Sequence, residues 1–195
     1  MRVLCFGPHR KEMERFLISQ GDEPFFTEEL LEAGASLLSK SEFLVSFGYR
    51  HLLSEEVLSA FPRRAVNIHI SYLPWNRGAD PNLWSFLEDT PKGVSIHYLS
   101  AKLDSGELLC QEKATFSSSE TLRTSYDKLI EQAQRLFEKE WSLLKIGKAK
   151  AAPQAKGGSF HRSGDAAAYQ SLLRAGWDTP VSELVGKAVA IGRGF

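Results

Sequence analysis

Residues 43–69, FLVSFGYRHLLSEEVLSAFPRRAVNIH, contain the repeating unit from which the fold is predicted. An apolar run at 43–47 ends at Gly48, and a second run at 65–69 follows a short helical pattern that begins after Ser54. Serine is a good helix N-cap, because its hydroxyl accepts a hydrogen bond from a backbone N–H of the first turn. Strands that alternate with helices predict an α/β fold with a mainly parallel sheet.

The same alternation extends to both sides of this unit. Hydrophobic spacing predicts further strands at 2–6, 23–27, 93–99 and 108–114, and helices at 9–19, 28–38 and 119–145. The strands at 93–99 and 108–114 are expected to form a hairpin-like pair. From residue 147 the composition shifts to Gly, Ala, Lys and Pro, which indicates a linker, and short helices are expected from residue 165 onward.

Charge and cysteine content restrict the expected partners and location. The 195 residues include 24 Lys and Arg and 24 Asp and Glu, so the formal net charge is zero. Proteins that bind nucleic acids or anionic membrane surfaces usually carry a basic excess, and no apolar run here reaches membrane length. We therefore expect a small-molecule or protein partner. Cys5 and Cys110 are too few for a disulfide framework, so we expect two buried thiols in a cytoplasmic protein.

Asn67, His69 and Asp104 form the pattern most relevant to chemistry. Asn67 and His69 are two residues apart at the end of a predicted strand, so their side chains point to the same face. Asp104 lies in the turn of the predicted hairpin, where its carboxylate can approach the imidazole. These groups suit acyl transfer by direct attack of an amine or water, because no Ser or Cys nucleophile is placed beside them. On spacing alone, Asn-x-His is more often a structural cap.

Three segments resemble those of a known family in sequence, in their order along the chain and in their spacing. They are NIHISYLPWNRGADP at 67–81, GVSIH at 93–97 and LDSGELL at 103–109. Together they resemble the formyltransferases that use 10-formyltetrahydrofolate, which include the glycinamide ribonucleotide, methionyl-tRNA and amino-sugar transformylases. The resemblance runs from about Met1 to about Trp141 and implies a Rossmann-like formyltransferase domain, which we place at residues 1–146. The composition shift indicates a linker and a small helical C-terminal extension at 147–195, which we expect to pack on that domain.

The resemblance also implies roles for individual residues. Asn67 would donate to the developing oxyanion, His69 would accept the amine proton, and Asp104 would orient His69 or a relay water. A loop and a neighbouring turn would hold the pterin of the co-substrate 10-formyltetrahydrofolate, through Gly48, Tyr49, Arg50, His51, Leu53, Lys102 and Leu103.

Two further residues are candidates for substrate binding. Trp75 could stack on a base and Arg77 could bind a phosphate, although a packing Trp and a surface Arg explain them equally well. No metal is expected, because no Cys/His cluster has metal-ligand spacing. His97 is expected to be a buried, hydrogen-bonded histidine that supports the site.

The chain departs from the family pattern at Ile70, where proline is usual. Its short first half, the loop at 73–78, the segment at 90–94 and the tail at 154–161 resemble the compact sugar-nucleotide N-formyltransferases and the formylation domain of nonribosomal peptide synthetases. We expect formyl transfer to the amine of a nucleotide-linked amino sugar. The alternatives are formylation of an aminoacyl group on a carrier protein, hydrolysis of formyltetrahydrofolate, and folate binding without catalysis. The oligomeric state stays open, with a homodimer among the alternatives.

Overall fold

A computed structural model of the chain describes residues 1–190. Its helices and strands are β1 (Arg2–Phe6), α1 (Lys11–Ser19), β2 (Glu23–Thr27), α2 (Ser36–Ser39), β3 (Phe43–Phe47), α3 (Glu55–Ser59), β4 (Ala65–His69), β5 (Arg77–Gly78), α4 (Pro81–Leu87), β6 (Gly93–Tyr98), β7 (Leu108–Lys113), α5 (Leu122–Lys145), β8 (Phe160–His161) and α6 (Lys187–Ala190). Short 3₁₀ helices lie between β8 and α6, at Asp165–Leu172, Gly176–Asp178 and Val181–Glu183. Within residues 1–190, no helix has the length and apolar character needed to cross a membrane.

Six strands form one sheet in the order β2-β1-β3-β4-β6-β7. The pairs β1–β2, β1–β3 and β3–β4 are parallel. β6 and β7 are antiparallel, because Tyr98 contacts Glu107 at one end of the pair while Gly93 contacts Glu112 at the other. The predicted α/β fold with a mainly parallel sheet is confirmed, and the region after β8 is helical as expected.

The described chain divides into two compact units by its contacts. Unit 1 contains residues 1–69, 96–110 and 134–154. Unit 2 contains residues 70–95 and 111–133 and the described residues from 155 onward. The predicted boundary between a catalytic domain at 1–146 and an extension at 147–195 stays a prediction.

Unit 1 is built around the parallel strands. Its strands β1 and β3 are buried along nearly their whole length, as expected for strands that are covered on both faces. Phe43 of β3 contacts Trp141 of α5 edge to face, with ring centroids 5.1 Å apart. A second cluster joins β1, α2, β3, α3, β4 and the loops on either side of α3, through Leu4, Phe6, Leu38, Leu44, Leu53, Val57, Phe61 and Ala65. Burial of these large side chains is the main stabilising contribution to unit 1.

Unit 2 has a separate core around α4. Trp84 is fully buried, stacks on His161 at 3.8 Å and meets Tyr169 edge to face. Asn82 ties α4 to the start of α5, because its amide donates to the Leu122 carbonyl at 3.0 Å. The 3₁₀ helices and α6 complete this core with Ala166, Tyr169, Val181, Leu184 and Ala188.

Two sequence predictions are wrong in detail. The helix predicted at 28–38 is limited to Ser36–Ser39. The Thr27 hydroxyl accepts from the Glu29 N–H, and Gly34 adopts a left-handed φ of 92°, so the chain turns before it can form a longer helix. Burial raises the pKa of the Cys5 thiol to about 12, but Cys110 is only half-buried. The prediction of two buried thiols is therefore correct for Cys5 alone.

Candidate active site

The structure brings Asn67, His69 and Asp104 together in unit 1. Asn67 and His69 lie at the carboxyl end of β4, with their side chains on the same face of the strand. Asp104 lies in the turn between β6 and β7, and both its side chain and that of His69 are buried. The Asn67 amide donates to Asp104 Oδ1 at 2.9 Å, and His69 Nδ1 lies 3.7 Å from the same oxygen. The predicted juxtaposition of these three residues is therefore observed.

His97 of β6 is the fourth member of this cluster. It is 1% exposed, and its Nδ1 lies 2.8 Å from the Tyr98 carbonyl oxygen. Since a carbonyl only accepts, Nδ1 carries the proton, and Nε2 of the neutral ring is left as an acceptor. The Asn67 amide nitrogen lies 3.2 Å from that Nε2, so its two N–H bonds are directed to Asp104 and to His97. The amide orientation is thus fixed from two sides.

A single carboxylate oxygen faces all three of these neighbours. Asp104 Oδ1 is within 3.4 Å of His97 Nε2 as well as near Asn67 and His69. The cluster combines an amide donor, two titratable rings and a carboxylate that orients them. This arrangement can accept a proton from an attacking nucleophile and stabilise negative charge on an oxygen.

The predicted cofactor loop follows β3 at its carboxyl end. Gly48 has a left-handed φ of 75°, which allows the chain to turn out of the strand. Tyr49 packs on Phe6 at 4.9 Å, and its hydroxyl donates to the Glu29 carbonyl at 2.8 Å. Arg50 and His51 are exposed. The loop is therefore ordered mainly through Tyr49.

A cavity of about 600 Å³ adjoins this loop in unit 1. Its lining comprises residues 30–33, residues 52–56 and Ala101. Of the predicted cofactor residues, Leu53 lines the cavity and is also part of the core. Lys102 and Leu103 are exposed and directly follow Ala101 along the chain. The volume is within the usual range for a small-molecule site.

The predicted substrate residues Trp75 and Arg77 belong to unit 2. Both are half-buried, in a loop with a cis peptide bond between Leu73 and Pro74. The Arg77 guanidinium lies 3.4 Å from the carbonyl oxygens of Ser159 and Gly157. Arg77 is therefore held by the segment that leads into β8, and its binding of a phosphate stays a prediction.

Sequence reasoning missed two parts of the site. The cavity wall at 30–33 was hidden because this stretch was predicted to be helical. Gln154 was noted only as the first residue of the tail at 154–161, with no role assigned to it, yet its amide nitrogen donates to the backbone carbonyls of Asp104 and Gly106. No local pattern indicates this contact, because the partners are about 50 residues apart. His97, by contrast, was expected to be buried and hydrogen-bonded, and the structure confirms both properties.

The sequence and the structure are both similar to known proteins. Residues 23–140 match the family model described as formyl transferase. The structure of the formyltransferase PseJ from Anoxybacillus kamchatkensis, in complex with UDP-4,6-dideoxy-4-formamido-L-AltNAc and tetrahydrofolate, is 46% identical in sequence. That match covers 96% of this chain and 100% of PseJ, with a TM-score of 0.94.

More distant structures share the fold. A sugar N-formyltransferase from Shewanella sp FDAARGOS_354 is 17% identical, covers 86% of this chain and 79% of its own, and has a TM-score of 0.77. A 4-N formyltransferase from Francisella tularensis is 19% identical, covers 84% of this chain and 77% of its own, and has a TM-score of 0.74. At these identities the likeness concerns the fold alone.

Proposed function

This protein belongs to the formyl transferase family, whose model matches more than half of the chain, and we propose that it transfers a formyl group from 10-formyltetrahydrofolate to the amine of a nucleotide-linked amino sugar. The single observation that carries the proposal is the cluster of Asn67 with the buried side chains of His69 and Asp104, in which Asp104 Oδ1 lies 2.9 Å from the Asn67 amide. The chemistry of this donor set fits formyl transfer, because it supplies one oxyanion donor and one proton acceptor.

The reaction assigns one task to each residue. The amine nitrogen bonds to the formyl carbon, the bond from that carbon to the folate nitrogen breaks, and the amine proton passes to the released nitrogen. We propose that His69 carries this proton and that Asp104 orients the His69 ring, whose Nδ1 lies 3.7 Å from its carboxylate. General acid–base catalysis of this kind contributes about 10²- to 10⁴-fold to a rate.

Asn67 is the proposed donor to the oxygen that becomes negative during attack. In the structure both of its N–H bonds are directed to protein groups, at 2.9 Å to Asp104 and 3.2 Å to His97. Donation to substrate requires one of them to be redirected. The longer bond to His97 is the weaker one, so we propose that this N–H turns to the formyl oxygen while the bond to Asp104 keeps the amide in place.

The cavity beside the loop is the proposed site of the folate. We propose that the loop backbone at Gly48, Tyr49, Arg50 and His51 contacts the edge of the pterin, with Leu53 against its face. Lys102 and Leu103, which follow the cavity residue Ala101, are proposed to contact the far side of the co-substrate. A flat ring with polar edges needs apolar walls, which the leucines at 30, 31, 52 and 53 supply, and the carboxylates at 32, 55 and 56 also line the cavity.

The acceptor class is proposed from PseJ, the relative with 46% identity. Its bound sugar nucleotide carries a 4-formamido group, which is the group that formylation of a 4-amine produces. The first acceptor to test is therefore the corresponding UDP-linked 4-amino-4,6-dideoxy sugar. Trp75 and Arg77 are proposed to contact the base and a phosphate. A cytoplasmic location, a homodimer and the exclusion of nucleic acid stay predictions.

The test is a formylation assay on the purified protein. 10-Formyltetrahydrofolate is mixed with UDP- and dTDP-linked amino sugars, and both tetrahydrofolate release and the mass of the sugar nucleotide are followed. The matched control is the same sugar with its amine already acetylated, which must not react. A formylated sugar nucleotide supports the proposal. Formylation of an aminoacyl carrier protein instead, formate release without an acceptor, or folate binding without transfer would each contradict it.

A further inference from the structure

The turn that carries Asp104 is held by a side chain 50 residues further along the chain. Gln154 Nε2 donates to the backbone carbonyl of Asp104 at 2.8 Å and to that of Gly106 at 2.9 Å. Gln154 Oε1 is buried and has no hydrogen-bond partner among residues 1–190. The NH₂ group is therefore the part of this side chain that binds the turn, and both of its hydrogens are used.

The turn needs this support because its backbone is unfavourable. Asp104 has a φ of 47°, in the left-handed region that residues with a Cβ adopt rarely. Gly106 lies directly against the end of β6, where an added Cβ would be 1.8 Å from the Tyr98 carbonyl oxygen. The turn is thus packed against the end of β6 on one side, and Gln154 donates hydrogen bonds to two of its carbonyls.

The backbone that carries Gln154 is itself fixed. Ala152 forms an antiparallel bridge with Leu108, in which Leu108 N–H donates to Ala152 at 2.8 Å and Ala152 N–H donates back at 2.9 Å. Gln154 follows this bridge by two residues, and Leu108 is the first residue of β7, directly after the turn. The Gln154 side chain therefore reaches the turn from a backbone segment that is hydrogen-bonded to the start of β7.

We infer that Gln154 is a positioning residue for formyl transfer, which sets the place of the Asp104 carboxylate relative to His69 and Asn67 by holding the two carbonyls of the turn. This inference rests on the proposed function. The carboxylate lies 2.9 Å from the Asn67 amide and 3.7 Å from His69, so a small movement of the turn changes both contacts. A displacement of about 1 Å in a catalytic group can cost about a hundredfold in rate.

The first experiment compares Gln154→Ala with a matched control. Gln132 also donates to a backbone carbonyl, that of Lys113 in unit 2, so Gln132→Ala removes the same kind of bond away from the Asp104 turn. We expect Gln154→Ala to lower kcat by about tenfold to a hundredfold with little change in KM, and Gln132→Ala to leave kcat unchanged. A wild-type kcat in Gln154→Ala would overturn the inference.

A double-mutant cycle with Asp104→Asn separates positioning from general support. If Gln154 acts through Asp104, its removal costs less than about twofold in rate once the carboxylate is gone. An equal loss in both backgrounds would show that Gln154 acts independently, and would also overturn the inference. If Asp104→Asn alone keeps the wild-type rate, the proposed function of the site fails, which is a different result from failure of the Gln154 inference alone.

Gln154→Glu provides a second variant that keeps the shape of the side chain. A carboxylate only accepts, so it repels both turn carbonyls, whereas a protonated carboxyl can donate to one of them. Two neighbouring carbonyls should raise the pKa of the introduced carboxyl above its usual value of about 4.3, so we expect the rate relative to wild type to rise as the pH falls from about 8 to about 5, together with altered ¹⁵N chemical shifts of His69 and His97 at the higher pH. Unchanged shifts and a pH-independent ratio would contradict the inference.

Discussion

The two ends of the parallel strands in unit 1 each hold a buried aspartate, and the two carboxylates have different neighbours. Asp104 meets Asn67, His69 and His97 at the carboxyl end of β4. Asp22 lies directly before β2, at the opposite end of the strands. It accepts hydrogen bonds from Trp141 Nε1 at 2.8 Å, from Lys145 Nζ at 2.7 Å and from the Met1 amino group at 3.0 Å.

The two carboxylates differ in the chemical type of their neighbours. Burial acts to raise the pKa of Asp22, but the hydrogen bonds from Lys145, the Met1 amino group and Trp141 outweigh it and hold that pKa below its usual value. The Asp22 carboxylate is held in its charged form by two ammonium groups and an indole N–H, and we assign it a role in stability. Asp104 instead faces two imidazoles and the Asn67 amide. We therefore propose that similar burial serves stability at one end of the strands and reactivity at the other.

The largest expected effect is at His69. His69→Ala removes the proposed proton carrier, so we expect kcat to fall by about 10²-fold or more. The variant should still bind 10-formyltetrahydrofolate, because the proposed folate residues are unchanged. Steady-state kinetics and calorimetric titration of the co-substrate check both points. Transfer at the wild-type rate would show that this end of the strands is not the reactive one.

Substitution of Asp22 should lower the stability of the protein rather than its rate of formyl transfer. Asp22→Asn keeps the shape but removes the charge that binds Lys145 and the Met1 amino group, and we expect a loss of about 2 kcal/mol in the free energy of unfolding. For a chain of this size, this corresponds to a fall in Tm of roughly 4–8 °C. Scanning calorimetry measures the shift. An unchanged Tm would mean that the Asp22 cluster does not support the fold.

Lowering the pH should remove the stabilisation that the Asp22 carboxylate gives wild type, while Asp22→Asn lacks that stabilisation at every pH. Because the pKa of Asp22 is lower in the folded protein, the unfolded chain binds its proton first as the pH falls. The stabilisation is therefore present above the unfolded pKa, about 4, and is lost as the pH falls through the folded pKa. Urea unfolding at several pH values should show wild type and Asp22→Asn converging at low pH. A constant difference between them would contradict this explanation.

The sequence was most informative where short patterns set the structure. The apolar runs at 43–47 and 65–69 gave the parallel strands, and the alternation along β4 gave the shared face of Asn67 and His69. The Asp104 contact followed from the hairpin-like pair. These features depend on neighbours along the chain or on one strand pairing.

Features that depend on distant contacts were not predictable. Nothing near Gln154 indicates that it binds a turn 50 residues earlier, and nothing near Asp22 indicates its contact with Trp141, 119 residues away. The stretch at 28–35 has helical composition, but the bond to Thr27 and the left-handed Gly34 prevent the helix. Tertiary contacts and single backbone conformations determined the outcome in each case.

The smallest expected effect concerns the loop after β3. Tyr49→Phe removes the hydrogen bond from its hydroxyl to Glu29, which is worth about 1 kcal/mol, so we expect KM for 10-formyltetrahydrofolate to rise about fivefold at unchanged kcat. Tyr126 packs on Trp177 in unit 2, and Tyr126→Phe is the matched control that should leave KM as it is. Equal KM values for the two variants would show that the Tyr49 hydroxyl does not contribute to folate binding.

The most direct test measures Asp104→Asn and Asp22→Asn side by side, recording the formyl-transfer rate and the Tm of each. Both substitutions replace a buried carboxylate by its isosteric amide. We predict that Asp104→Asn loses about 10²-fold or more in rate with little change in Tm, while Asp22→Asn keeps its rate within about twofold and loses stability. A wild-type rate in Asp104→Asn, or an equal rate loss in folded Asp22→Asn, would contradict the division between the reactive and the stabilising end of the strands.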